Sequence, residues 1–365
     1  GDTNGNNDVF VHDRQTGVTQ RVSVASDGTQ GNANSFVAAI SADGRYVAFY
    51  SIATNLVPGD TNGASDIFVH DRQTGVTERV SVASDGTQAD RNSLVPSISA
   101  DGRFVAFQSV ATNLVPGDTN GNNDVFVHDR QTGVTQRVSV ASDGAQGNGI
   151  STTASISGDG RFVAFQSAAS NLVPGDTNGA TDVFVHDRQT GVTERVSVAS
   201  DGAQGNANTS EASLSADGRY VAFQSIATNL VPGDTNGATD VFVHDRQTGT
   251  TQRVSVAGDG TPGNGNSFSA SVSADGRYVA FDSVATNLVA GDTNGFRDVF
   301  VHDRETGVTE RMSLARDGAQ GNANTSEPSL SADGRYVAFQ SAATNLVPGD
   351  TNGQQDVFVR DRTVT

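Results

Sequence analysis

Ser99-Ala100-Asp101-Gly102-Arg103-Phe104-Val105-Ala106-Phe107-Gln108-Ser109 carries the reading of this chain. An Asp-Gly pair stands between two apolar runs. Leu94-Val95-Pro96-Ser97-Ile98-Ser99 precedes it and Arg103 to Ser109 follows. Asp-Gly between such runs predicts a two-residue hairpin turn, because both central positions favour positive φ. The runs are strands A and B. Outward from them, residues 111–121 read as a long loop with Pro116 and Asp-Thr-Asn-Gly punctuation. Asp124-Val125-Phe126-Val127-His128 reads as strand C. Asp129 to Gly133 is a turn that needs its glycine, and Thr135 to Val140 is strand D. Residues 142–148 form a polar loop leading to the next strand A.

The unit recurs. Ser-Ala-Asp-Gly-Arg begins at Ser41, Ser99, Ser215, Ser273 and Ser331, and Ser-Gly-Asp-Gly-Arg at Ser157 fills the remaining slot. Gly-Asp-Thr-Asn-Gly begins at Gly1, Gly59, Gly117, Gly175, Gly233, Gly291 and Gly349, always 58 residues apart. A fixed period of this length is one supersecondary unit copied many times. No stretch shows a 3.6-residue apolar period, so no substantial helix is expected. Strands apolar on both faces must be covered on both faces. Four antiparallel strands copied six times achieve this by stacking blades about an axis, which predicts an all-β six-bladed β-propeller. A β-solenoid is the competing architecture, but solenoid coils are shorter and lack three hairpin turns per unit.

Ser-Ala-Asp-Gly-Arg-Tyr-Val-Ala-Phe, followed by Asp-Val-Phe-Val-x-Asp-Arg-x-Thr-Gly-x-Thr-x-Arg-Val-Ser, resembles the WD-repeat-like propeller repeat of TolB-type proteins. The likeness covers nearly the whole chain and implies the six-bladed fold. It implies little about function, since such propellers host many roles. Ala or Gly replaces the usual Pro before Asp-Gly, and the B–C loop is longer, carrying Asn-Leu-Val-Pro-Gly-Asp-Thr-Asn-Gly.

One domain over residues 1–365 is expected, with segments 1–24 and 325–365 sharing the closing blade. Its D strand would come from Thr19–Val24 and its C strand from Asp8–His12 or Asp356–Arg360. Strand C occurs seven times and A, B and D six times. The surplus copy lies outside the ring, pairs with another molecule as an open edge can, or marks a piece of a longer array.

The formal charge is −18, with 23 Arg, no Lys and no Cys. This argues against nucleic acid or an anionic membrane as partner and favours a cation or a cationic ligand. No apolar run approaches the roughly 18 residues of a membrane helix, so no membrane insertion is expected. No signal peptide is visible, and because the sequence opens in mid-repeat a removed N-terminal segment is expected.

Asp-x-Asn-Gly-x-x-Asp is the strongest chemical motif. It places Asp60, Asn62 and Asp66; Asp118, Asn120 and Asp124; Asp176, Asn178 and Asp182; Asp234, Asn236 and Asp240; Asp292, Asn294 and Asp298; and, terminally, Asp2, Asn4 and Asp8 with Asp350, Asn352 and Asp356. Hard oxygens at positions 1, 3 and 7 around a glycine bend suit Ca²⁺, so several Ca²⁺ ions per chain are expected. The same residues also make good Asx turns without metal. Asp71 and Asp129 are not further ligands. Five strand residues carry them roughly 17 Å away, where they cap the following turn. The histidine of strand C (His12, His70, His128, His186, His244, His302) is expected to pack between blades, and the Arg of Thr-x-Arg-Val-Ser (Arg79, Arg137, Arg195) to pair with an Asp of the adjacent turn.

The D–A loops diverge most. Phe36, Asp90, Arg91, Leu94, Ile150, Glu211, Phe268 and Glu327 would form an asymmetric lip at the channel mouth, where recognition on a rigid scaffold usually resides. The expected function is a secreted, extracellular or periplasmic, calcium-stabilised binding or scaffold module for a glycan or protein ligand. The chain is expected to be monomeric, with association through the surplus C strand open. Two alternatives stand beside it: a polysaccharide hydrolase or lyase using Asp90, Arg91, Glu211, Asp282 and Glu327, and a structural piece of a larger surface assembly. Near-identical repeats favour binding over catalysis.

Overall fold

The structure is a computed structural model that describes residues 3–363. All of its elements are strands. The chain is an all-β six-bladed propeller, with antiparallel strands ordered A-B-C-D in each full blade. A hairpin of β1 (Phe10–Asp13) and β2 (Val18–Arg21) comes first. Blade 1 is β3 (Ser35–Ile40), β4 (Tyr46–Ser51), β5 (Asp66–Asp71) and β6 (Thr77–Arg79). Blade 2 is β7 (Ser93–Ile98), β8 (Phe104–Ser109), β9 (Asp124–Asp129) and β10 (Val134–Arg137). Blade 3 is β11 (Ser151–Ile156), β12 (Phe162–Ser167), β13 (Asp182–Asp187) and β14 (Thr193–Arg195). Blade 4 is β15 (Thr209–Leu214), β16 (Tyr220–Ser225), β17 (Asp240–Asp245) and β18 (Thr250–Arg253). Blade 5 is β19 (Ser267–Val272), β20 (Tyr278–Ser283), β21 (Asp298–Asp303) and β22 (Thr309–Arg311). Blade 6 is β23 (Thr325–Leu330), β24 (Tyr336–Ser341) and β25 (Asp356–Asp361). The chain divides into two compact units, residues 1–175 with 185–194 and residues 176–184 with 195–365.

Strands B and C are covered on both faces because nearly all their side chains are apolar. In the first unit Ala48, Ile67 and Val69 of blade 1 meet Val105, Phe107 and Phe126 of blade 2. In the second, Ala222, Val241 and Val243 of blade 4 meet Val279, Phe281 and Phe300 of blade 5. Within each blade the two phenylalanines stack, as Phe107 and Phe126 do with centroids 6.0 Å apart. Each fully buried Phe contributes about 1.5–3 kcal/mol.

A polar relay adds to this apolar contact. His70 Nδ1 lies 2.8 Å from the Thr77 hydroxyl, which donates to the Val24 carbonyl at 2.5 Å. The equivalent Thr hydroxyls of strand D donate to Val82, Val140, Val198 and Val256. Each hydroxyl spends its one proton on the carbonyl of the preceding D segment, so the imidazole must carry its proton on Nδ1. The strand C histidines are thus blade-to-blade fasteners.

The Asp-Gly turn departs from the expected two-residue form. Asp101 accepts hydrogen bonds from the Ser99 hydroxyl at 2.6 Å and the Arg103 N–H at 2.9 Å. The Gly102 N–H donates to the Ser99 carbonyl, and the Ser99 N–H to Phe104. Held by its own carboxylate, Asp101 stays at negative φ and only Gly102 turns left-handed, at 73°. Gly102 also lets the preceding blade approach: a Cβ there would lie 2.2 Å from Cδ2 of Tyr46. Gly102→Ala is expected to cost about 2–4 kcal/mol by urea denaturation, from left-handed strain plus overpacking. Gly133→Ala shares the positive φ but meets nothing within 4 Å. It should lose only the strain part, about 1–2 kcal/mol, and equal losses at both sites would refute the packing role of Tyr46.

The terminal segments pair differently from expectation. Thr19 to Arg21 do not supply a D strand for blade 6; Thr19 pairs with His12 inside the β1–β2 hairpin, and blade 6 has three strands among the described residues. Both copies of strand C are therefore used, one in the hairpin and one as β25. The consequence shows in exposure: Val357 is 74% and Val359 43% exposed, whereas Val125 and Val127 at the same slots of blade 2 are fully buried.

Candidate functional site

The acidic loops of blades 1 to 5 share one plan, and blade 4 shows it. Asn236 turns the loop by accepting the Ala238 N–H, while its amide donates to Asp240 at 2.9 Å and to the Gly263 carbonyl at 3.0 Å. Asp240 also accepts the Ser255 hydroxyl at 2.6 Å. Between the two carboxylates lies Arg253 of β18, 3.1 Å from Asp234 and 3.1 Å from Asp240. All three side chains are nearly dry, at 8%, 4% and 0% exposure. Arg79 meets Asp60 and Asp66, Arg137 meets Asp118 and Asp124, Arg195 meets Asp176 and Asp182, and Arg311 meets Asp292 and Asp298. In the first copy Arg21 meets Asp8 at 2.8 Å and Asn4 donates to Asp8; Asp2 lies outside the described residues. So in blades 1 to 5 the Arg of Thr-x-Arg-Val-Ser pairs with both carboxylates of the motif, and its guanidinium offsets one of the two negative charges. Burial raises the pKa of Asp60, Asp66, Asp124, Asp182, Asp234 and Asp292. The seventh copy differs. Asn352 donates to Asp356 at 2.9 Å, but no arginine pairs with Asp350 or Asp356 among the described residues, which place no fourth strand beside β25. Asp71 and Asp129 do cap their turns, accepting the Gln73 and Gln131 N–H groups, and each is clamped by an arginine of strand B.

The lip residues divide. Every strand A carries a bulge whose third residue has positive φ: Val37, Val95, Thr153, Glu211, Ser269 and Glu327. Six non-glycine residues in this sparsely populated region mark a built feature of the repeat. In blades 1 to 3 the slot is uncharged. In blades 4 and 6 it holds Glu211 and Glu327, both exposed. Between them blade 5 carries Asp282 on β20, paired in register with Phe268. Asp282 is fully buried and bound to Arg297 Nε at 2.7 Å, and Arg297 lies over the Phe268 ring at 4.5 Å. Gln340 donates to Glu327 at 2.5 Å. Desolvation, then the charge of Glu327, raises the pKa of Glu211; burial raises that of Asp282 against the pull of Arg297.

The structure thus gathers Glu211, Phe268 and Glu327 with Asp282 and Arg297. Asp90 instead clasps the B–C loop of its own blade, accepting the Thr112 N–H and hydroxyl at 2.8 and 2.7 Å, where the asparagines of other repeats accept the N–H and donate to the hydroxyl. Phe36 packs on Tyr50, with centroids 5.4 Å apart. Arg91 and Ile150 are exposed and Leu94 half-buried. Arg297 is the residue that sequence reasoning missed. Its signal was a lone charge at a slot that holds Ser65, Asn123, Thr181, Thr239 or Gln355 in other repeats.

No protein-family model and no curated protein sequence matches the chain. Solved structures do. An oligogalacturonate lyase in complex with manganese matches at TM-score 0.57 and 14% identity, covering 98% of this chain and 84% of that one. The β-propeller domain of the Trilobed protease from Pyrococcus furiosus, described as having an open velcro topology, matches at 0.54 and 12%, covering 90% and 81%. TolB from Acinetobacter baumannii matches at 0.47 and 18%; this chain spans 58% of its length. The fold is that of a β-propeller. At these identities the likeness reaches the fold and stops there, and the activities of these proteins remain their own.

Proposed function

We propose that this propeller is a binding module, not an enzyme, and that it takes a cationic segment of a protein partner at the strand A bulges of blades 4 to 6. One observation carries the reading. The repeat is broken there by charge, with Glu211 and Glu327 exposed on strained bulges and Asp282 already neutralised by Arg297. That puts two exposed glutamates beside the half-buried Phe268 ring, an arrangement suited to a lysine or arginine side chain and its aliphatic stem. Catalysis is the weaker reading because Asp282, the special carboxylate, is tied to Arg297 and the two glutamates occupy equivalent slots.

The Ca²⁺ expected of the acidic loops is proposed here only for Asp350, Asn352 and Asp356, since in blades 1 to 5 a buried arginine stands between the two carboxylates and offsets one of their charges. The secreted or periplasmic setting is proposed with it, because weak sites of this kind fill at millimolar Ca²⁺.

The test is titration of a decapeptide with a central Lys-Leu-Lys by calorimetry. Glu211→Gln/Glu327→Gln is expected to weaken binding about tenfold or more, while Asp143→Asn/Asp201→Asn, an equal charge change at exposed turns, leaves it within about twofold. Equal weakening by both pairs would reduce the effect to net charge and remove the site. Product release from an oligosaccharide panel would favour the lyase or hydrolase alternative.

A further inference from the structure

We infer that the glutamate pair of blades 4 and 6 continues into an apolar shelf on blade 5, formed by Val284 and Phe296, and that the shelf takes a large apolar side chain of the same partner segment, three positions from its cation. The inference rests on the cationic-segment reading and gives that segment a second anchor. It starts from where the repeats differ. Slot 296 holds Asn6, Ala64, Asn122, Ala180, Ala238 or Gln354 in the other copies, and only blade 5 puts an aromatic ring there. Blade 5 also departs at Asp282, where the other blades carry Gln or, in blade 1, Tyr50, and at Arg297. The charged and the apolar departures fall in one blade.

The fold brings them to one place. Strands β20 and β21 pair with Asp282 opposite Val299 and Ser283 opposite Asp298, so Val284 and Arg297 are the next residues out on the two chains. Cross-strand neighbours share a face of the sheet, and alternate residues return to it. Arg297 uses that face to reach Asp282 at 2.7 Å and to cover Phe268, which lies opposite Asp282. Val284 stands two residues beyond Asp282, beside Gly265 of the loop that feeds β19; a Cβ on Gly265 would lie 3.1 Å from its Cγ2. Phe296 sits on a turn fixed by hydrogen bonds. Its own N–H donates to Asn294 at 2.9 Å, and the Arg297 N–H donates to Asn324 at 3.0 Å. A ring held this way loses little freedom on binding. Val284 is 46% and Phe296 39% exposed. Blades 1 and 4 expose an aliphatic residue at slot 284, Ile52 and Ile226, but pair it with Ala64 and Ala238 at slot 296. Single exposed apolar residues are ordinary, whereas a group of them rimmed by charge marks a contact surface.

Spacing then specifies the occupant. The Thr325 N–H donates to the Arg297 carbonyl at 2.8 Å, which ties the Phe296 turn to the start of β23. Glu327 lies two residues further along that strand. One residue from Phe296 to Arg297, one paired step across to Thr325 and two residues along β23 separate the Cα atoms of Phe296 and Glu327 by roughly 10–15 Å. About three or four extended residues span that length. The occupant is an extended protein segment that places lysine or arginine at the glutamates and a leucine-sized side chain on the shelf, an apolar anchor beside a charged one.

The test uses two fluorescein-labelled peptides, titrated into the full chain by anisotropy. One reads Gly-Ser-Lys-Ser-Ser-Leu-Ser-Gly, and its twin has alanine in place of leucine. The leucine peptide is expected to bind about fivefold or more tighter. Phe296→Ala and Val284→Ala install residues that blades 4 and 6 already carry, Ala238 and Ala342, so the fold is kept. Together they should abolish the leucine advantage and leave the alanine peptide within about twofold. Glu211→Gln/Glu327→Gln should weaken both peptides. Equal binding of the two peptides to the unaltered chain overturns the shelf and leaves the cationic reading standing. Loss of neither peptide on replacing the glutamates removes the cationic reading, and the shelf falls with it. A leucine advantage that survives Phe296→Ala/Val284→Ala places the contact elsewhere and overturns the shelf too.

Discussion

Arg253→Met is expected to destabilise the protein by about 3–5 kcal/mol, the range for removing one partner of a buried charge set. The reason is what remains behind. Asp240 is fully buried and Asp234 8% exposed, and neither can turn to water. Ser255 and Asn236 still donate to Asp240, so the residual cost falls mainly on the uncompensated charge. Arg253→Lys should recover part of the loss, because both contacts run through the single nitrogen Nη1, which an ammonium can replace without the rest of the buried guanidinium. Adding Asp234→Asn and Asp240→Asn to Arg253→Met should restore most of it, since neutral amides in that pocket no longer need a cation. Urea midpoints of the four proteins measure this, and a loss below about 1 kcal/mol for Arg253→Met, the scale of an exposed pair, would show that these sockets are solvated surface pairs.

The acidic motif shows how far sequence reaches. Asp234, Asn236 and Asp240 are visible as one loop because they are local. The cation the structure sets beside them is Arg253, thirteen residues beyond Asp240 across the C–D hairpin. The register that brings them together, Phe242 opposite Arg253, follows only once the turn at Gln247 to Gly249 is fixed. The motif alone therefore points as well to a metal as to a guanidinium. Asp282 and Arg297 were legible as broken repeats but not as partners, since their contact depends on β20 and β21 lying side by side with Asp282 opposite Val299. The surplus strand C was legible as a count. The structure pairs one copy with β2 across a short turn and the other with β24, which the count alone does not decide. The fold itself was legible because its determinants are local and copied: an Asp-Gly turn, a doubly apolar B strand, and a glycine where the backbone must turn left-handed.

Acidification should unfold the protein in two separable windows, and the first belongs to the histidines. His186 and His302 are buried, with Nδ1 engaged by Thr193 and Thr309 and Nε2 facing no polar partner. Protonation would place an unpaired charge in the blade interface, so burial pulls both pKa values down to about 4. His70 and His128 are lowered for the same reason. A histidine depressed in the folded state binds its proton more readily when unfolded. Its contribution is therefore intact above the ordinary value near 6.5, and is lost as pH falls from there toward 4. For His186 and His302 the loss approaches about 3 kcal/mol each, taking 1.36 kcal/mol per unit. The aspartates clamped by strand B arginines act later: Asp303, held at about 2 by Arg277, gives up its stabilisation between roughly pH 4 and 2. Buried Asp66, Asp124 and Asp182, whose pKa values are raised, work in the opposite sense as they take up protons. A variant comparison removes that background. His186→Asn/His302→Asn keeps a donor for each threonine and carries no titrating ring. Its unfolding free energy should fall less steeply than wild type between pH 6.5 and 4.5, and parallel curves in that window would show that the blade fasteners titrate as solvent-exposed imidazoles.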